Sequence, residues 1–124
     1  MAQLAKRFDG RTITRLDDLA QREAVSANFL VQILNDLRRA GLVESRRGKS
    51  GGYLLARKPD SIHLREIVEA VEPTLLSFST RTEGDSGVSV RAAWEKVASE
   101  LKAHLERVTL QQMADKLEAP MFYI

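Results

Sequence analysis

A mainly α-helical fold with one small β-hairpin and a long closing helix is predicted for these 124 residues. Three stretches predict it. Residues 26–40 repeat apolar side chains at helical spacing and stop at Gly41. Residues 42–56 form two strand-like runs about a tip rich in glycine and cations. From about residue 88, a narrow apolar stripe steps by four and three. A helix followed at once by a basic hairpin is the arrangement of a winged helix-turn-helix. The expected fold class is therefore mainly α with a small β-hairpin wing: a winged helix-turn-helix plus a long C-terminal dimerisation helix.

Taken in order, Leu4, Ala5 and Phe8 supply the apolar face of a short first helix. Either that helix is abbreviated or Met1 is not the natural start. Thr14 with Asp17 reads as an acidic capping box, opening a helix with Leu16, Leu19 and Ala20 that runs to about Glu23. Ala24 and Val25 leave only a tight turn before Ser26, which is placed to cap the next helix. At 100° per residue, Phe29, Leu30, Ile33, Leu34 and Leu37 share one face of that helix. The opposite face carries Asn28, Val31, Gln32, Asn35 and Arg39. Amides can pair bidentately with adenine edges and arginine with guanine, so residues 26–40 read as a recognition helix. A solvated polar face is the plainer reading of the same residues, and the flanking hairpin decides between them.

Gly41 is placed for the positive φ that ends a helix. Leu42–Arg47 reads as a strand, Gly48, Gly51 and Gly52 as the loop, and Tyr53–Ala56 as the returning strand, giving a wing over 43–56. Arg46, Arg47 and Lys49 cluster at the tip. An arginine there can enter a narrow minor groove, where the negative potential is enhanced. Exposed charges also stop hairpin edges from pairing with one another, and the two roles are compatible.

Beyond the hairpin, Ile62, Leu64, Ile67, Val68 and Val71 make a helical stripe closed by Pro73. The next segment is rich in Ser, Thr and Gly and lacks periodicity, as a loop does. Val90, Trp94, Val97, Leu101, His104 and Val108 then form a seam with Leu105 beside it. A chain this short has few elements left to cover such a helix, so a second copy is the expected partner, with Trp94 its anchor. Thr109 with Gln112 restarts a short helix through Leu110, Met113 and Leu117. The expected division is residues 1–72 for DNA binding, 73–89 as a flexible loop, and 90–124 for dimerisation.

Charge is divided along the chain. Residues 1–58 hold 12 Lys and Arg against 6 Asp and Glu, or +6, whereas residues 59–124 hold 7 against 11, or −4. A basic reading module joined to an acidic module for partners would look like this. No apolar run suggests a membrane span and no leader pattern opens the chain, so a soluble cytoplasmic protein is expected. Catalysis is not expected. Gly48-Lys49-Ser50 lacks the glycine that a phosphate-binding loop needs five residues earlier, where Val43 stands. There is no cysteine, which excludes a thiol switch or a disulfide framework. His63 and His104 are the remaining soft ligands; each reads as an ordinary helix residue, and no metal or other cofactor is expected.

The runs LRRAGLV (Leu37–Val43), RRGKSGGYLLAR (Arg46–Arg57) and IHLREIVEAVE (Ile62–Glu72) resemble the signature block of the Rrf2 family of bacterial winged-helix transcription regulators. With the C-terminal helices, the likeness covers most of residues 12–117. The resemblance implies a homodimer on a palindromic stretch of double-stranded DNA. It also implies DNA contacts from Ser26, Asn28 and Gln32, with Arg47 in the minor groove. Two departures stand out. Iron–sulfur members place a carboxylate where this chain has Val31; valine can only touch a thymine methyl, which implies a different operator. Cluster-binding members also carry three cysteines in the segment equivalent to Pro73–Val90, and this chain has none. The signal is thus left open to a protein or small-molecule effector. Because some members work in complex with a metabolic enzyme, a protein-binding adaptor is the alternative, with Pro120–Ile124 as a docking surface.

Overall fold

The computed structural model describes residues 1–75, 77 and 83–118. Its elements are α1 (Ala2–Lys6), α2 (Leu16–Glu23), α3 (Ala27–Arg39), β1 (Val43–Arg46), β2 (Gly52–Leu55), a 3-10 turn (Pro59–Ser61), α4 (Leu64–Val71), α5 (Gly87–Glu106) and α6 (Leu110–Glu118). The predicted mainly helical class with one antiparallel hairpin is what the chain adopts. The docking surface suggested at Pro120–Ile124 lies outside the described residues.

The core is built from one or two residues of nearly every element. Leu4, Ala5, Leu19, Leu34, Leu37, Leu42, Val43, Leu55, Ile62, Leu110 and Ala114 form one buried cluster. Leu4 and Ala5 of α1 lie within it and Met1 and Phe8 pack against it, so the first helix does supply an apolar face. In α3 the stripe is narrower than its spacing suggests. Leu34 and Leu37 are buried and Leu30 and Ile33 half-buried, but Phe29 is 53% exposed. It stands about 80° from Leu37 and about 140° from Leu34, at the edge of the stripe and beside the polar face.

Two predicted caps hold and one does not. Ser26 accepts from the Phe29 N–H at 3.1 Å. Thr109 and Gln112 bond reciprocally, at 3.2 Å from the Gln112 N–H to Oγ1 and 3.1 Å from the Thr109 N–H to Oε1. Thr14, by contrast, does not cap α2; Arg15 occupies that position, and no side-chain cap bond forms. The Thr14 backbone is engaged elsewhere, exchanging two 2.8 Å hydrogen bonds with Tyr53. The hairpin therefore has a third, one-residue edge that joins it to the start of α2.

The seam of α5 also ends early. Val108 was expected within it but lies past the helix, because its carbonyl accepts from the Leu64 N–H at 2.8 Å. The Leu110 N–H in turn donates to Ile62 at 2.8 Å, so 62–64 and 108–110 form a short antiparallel bridge. Ile62 and Leu110 are both fully buried there. Through this bridge α6, grouped by sequence with the dimerisation segment, returns to pack on α1 and the 3-10 turn.

Arg57 secures α4 from outside. Its guanidinium donates to both carboxylate oxygens of Glu66, each at 2.9 Å, and Glu66 also accepts from the His63 N–H at 2.9 Å. The Arg57 hydrogen bonds, followed by that of His63, hold the Glu66 carboxyl down at about 2, against an ordinary 4.5. A depressed carboxylate stabilises the fold above its unfolded pKa and loses that effect as pH falls through the folded value. Acid unfolding should therefore steepen as pH drops from about 4.5 towards 2, modestly because the pair is partly solvated. Urea melts of Glu66→Gln across that window should show a flatter pH dependence; a curve parallel to the parent's would remove Glu66 from the account.

Candidate nucleic-acid interface

The interface is assembled from the helix-turn-helix pair α2–α3 and the wing. The turn between the helices depends on Ala24, which takes a left-handed φ of 54°, a conformation costing about 1 kcal/mol for a non-glycine residue. After α3 the chain stops by a Schellman motif: the Leu42 N–H donates to Leu37 and the Gly41 N–H to Arg38, both at 3.0 Å. Gly41 carries the positive φ of 77° that this stop requires. Leu37 and Leu42 are both buried beneath it. The wing thus leaves the helix in a fixed direction.

On α3, Asn28, Gln32 and Arg39 are exposed, while Val31 and Asn35 are half-buried at the margin. The Ser26 oxygen is occupied as a cap, leaving its O–H free to donate outward. Arg39 is engaged by Asp36 at 2.7 Å, so its charge is partly offset. Arg38 is also exposed and, among the described residues, makes no ion pair. It stands beside Val31 at the edge of the amide-rich face, next to Arg39 at the end of the helix.

The wing pairs Val43 with Leu55, Glu44 with Leu54, Ser45 with Tyr53 and Arg46 with Gly52. Its tip closes with the Gly51 N–H donating to Gly48 at 2.9 Å. Arg46 is held by Glu44 at 2.9 Å, whereas Arg47 and Lys49 are exposed and make no ion pair among the described residues. Gly52, read from sequence as loop, belongs to β2. A Cβ there would come well under 3.0 Å from the Thr14 carbonyl oxygen and to 2.8 Å from Ile13 Cγ2. The need for glycine arises from this backbone approach rather than from a turn.

The second predicted set lies on α5. Val90, Trp94, Val97 and Leu101 are 37–46% exposed along one side of the helix, with Leu105 half-buried at the end. His104 is exposed. Ala98, bordering the strip, is buried, and α5 contacts α4, whose Arg65 bonds both Glu69 and Glu106. Among the described residues, no helix is long and apolar enough to cross a membrane.

Comparison with known proteins agrees with this geometry. The chain is 36% identical over 111 residues to the HTH-type transcriptional regulator IscR of Cereibacter sphaeroides, covering 84% of this chain and 72% of that protein. It is 34% identical over 128 residues to the HTH-type transcriptional regulator CymR of Bacillus subtilis, covering 100% and 91%. The solved structure of B. subtilis CymR superposes with a TM-score of 0.77 at 31% identity, over 93% of this chain and 87% of that one. That of T. potens IscR gives 0.73 at 34%, over 94% and 79%. The family model described as "Rrf2: Iron-dependent Transcriptional regulator" matches residues 1–116. Iron is where this chain parts from that description. Clusters are held by thiolates, the chain has no cysteine, and no three His, Asp or Glu among the described residues come together as ligands. The residues present do not fit such a group. By its fold, its helix-and-wing surface and its sequence relatives, the chain belongs to the Rrf2 family of winged-helix, DNA-binding transcription regulators, which are not enzymes.

Proposed function

We propose that the protein is a homodimeric repressor that reads a palindromic operator in the cytoplasm. The carrying observation is that Asn28 and Gln32 of α3 and the Arg47–Lys49 tip are all exposed on elements joined through the hydrogen-bonded stop at Gly41. Asn28, Gln32 and Asn35 would read base edges in the major groove, with Val31 against a thymine methyl and Ser26 donating to the backbone. Arg46, Arg47 and Lys49 would lie along the adjacent minor groove and its phosphates, with Arg39 at the far end of the helix. Residues 1–72 form the reading unit, 73–89 the connection, and 90–124 the segment bearing the dimer seam of Val90, Trp94, Val97, Leu101 and Leu105. Val108 would support that seam from the bridge beside it.

Two copies would present two α3 helices about one turn of DNA apart, which favours a palindrome. Selection of bound sequences from random duplexes at moderate salt should return one; a protein that enriches no sequence has another function. On the selected site, Arg47→Ala should weaken binding by about one to two orders of magnitude, consistent with one groove-inserted arginine. The sizing profile should not change. Parent-like affinity for this variant would mean that the wing tip does not enter the groove.

A further inference from the structure

We infer that Arg15, together with the wing, forms a clamp for one phosphodiester of the duplex, on the strand that runs between the two grooves. This rests on the operator-reading role proposed above. One open groove is lined by Arg15 and Asp17 at the start of α2 and by Ser45, Arg46, Arg47 and Lys49 of the wing. Four cations thus line it with one carboxylate, and of the four Arg46 is already paired with Glu44. Arg15 is exposed and, like Arg47 and Lys49, makes no ion pair among the described residues. Its position is not left to chance. Thr14, immediately before it, is buried and pinned to Tyr53 of β2 by the two reciprocal 2.8 Å bonds. The backbone from which the Arg15 side chain springs is therefore fixed beside the wing rather than carried on a flexible loop.

The groove suits a phosphate for a second reason. Arg15 is the N-cap of α2 and offers no side-chain acceptor to the first turn. The N–H groups at that end add to the positive field of Arg15, Arg47 and Lys49, offset in part by Asp17 in the first turn, while Asp18 beside it is paired with Arg7. In a helix-turn-helix the first helix crosses the DNA backbone while the second enters the major groove. A wing in the neighbouring minor groove leaves the intervening strand lying over this cleft. A phosphodiester there would meet Arg15 from one side and Arg46, Arg47 and Lys49 from the other. Asp17, the lone carboxylate of the lining, would turn away from it.

Single methylphosphonate substitutions along one half-site, each removing one phosphate charge, provide the test. They should reveal a position at which the parent loses about tenfold in affinity, the size of one charge-assisted hydrogen bond. Arg15→Ala should lose about as much on unmodified DNA, be less sensitive than the parent to that one substitution because the wing cations remain, and keep its base preferences. Its dependence of log affinity on log salt should be shallower by about one per subunit. Arg15→Lys should restore the slope. If the parent binds its operator but Arg15→Ala retains the parental salt slope and methylphosphonate pattern, the clamp is refuted while operator reading stands. If the parent binds no duplex, the functional reading itself fails. Equal thermal melts of parent and variant would establish that the change is in binding.

Discussion

Gly52→Ala should destabilise the protein by about 3 kcal/mol, the upper part of the usual range for over-packing, and should abolish tight DNA binding along with it. The new methyl would be forced against the carbonyl of Thr14, and backbone cannot swing aside as the end of a long side chain can. Either β2 shifts or residues 13–14 leave the sheet, and in both cases the two 2.8 Å bonds between Thr14 and Tyr53 are lost. A small domain has only about 5–15 kcal/mol of net stability, so the loss is a large fraction of the total. Urea melts give the magnitude, and amide exchange at Thr14 and Tyr53 locates it. A variant within about 0.5 kcal/mol of the parent, with both amides still protected, would show that the Thr14 carbonyl yields to a methyl at little cost.

In the proposed homodimer, Leu101→Glu should separate the two copies and lower operator affinity at least a hundredfold. Val90, Trp94, Val97 and Leu101 leave a continuous apolar strip on α5, and a self-paired surface of this kind meets its own copy across a two-fold axis. One substitution therefore introduces two carboxylates near one axis, each stripped of water without a cation to meet it. Losing the second subunit also removes one of the two reading helices from the operator. Sedimentation at micromolar concentration separates the species. A parent that sediments as a monomer, or a variant that stays dimeric, would remove this face from the assembly.

Local pattern was sufficient wherever the determining contacts are local. The Leu34 and Leu37 stripe, the Ser26 and Thr109 caps and the Gly41 stop all involve partners within about five residues. The readings that failed share a different cause. Thr14 looked like a cap because its hydroxyl precedes a helix, but its backbone is claimed by Tyr53, 39 positions away. Val108 continued a regular spacing, yet the chain leaves the helix there to pair with residues 62–64. Gly52 looked like a turn residue because no one-dimensional pattern records which backbone will lie against it. Arg15 went unremarked for the same reason, since its nearness to the wing exists only after the third edge has formed.

The Schellman stop after α3 has a consequence for the DNA as well as for the protein. Because Leu37, Gly41 and Leu42 weld the helix to the hairpin, the two act like the fixed jaws of a caliper. If α3 and the wing read DNA as proposed, the gap between what one jaw touches and what the other grips is set before any duplex arrives. A site whose helical twist or groove width disagrees with that gauge must deform to fit, and the energy of doing so becomes a means of discrimination at base pairs the protein never touches.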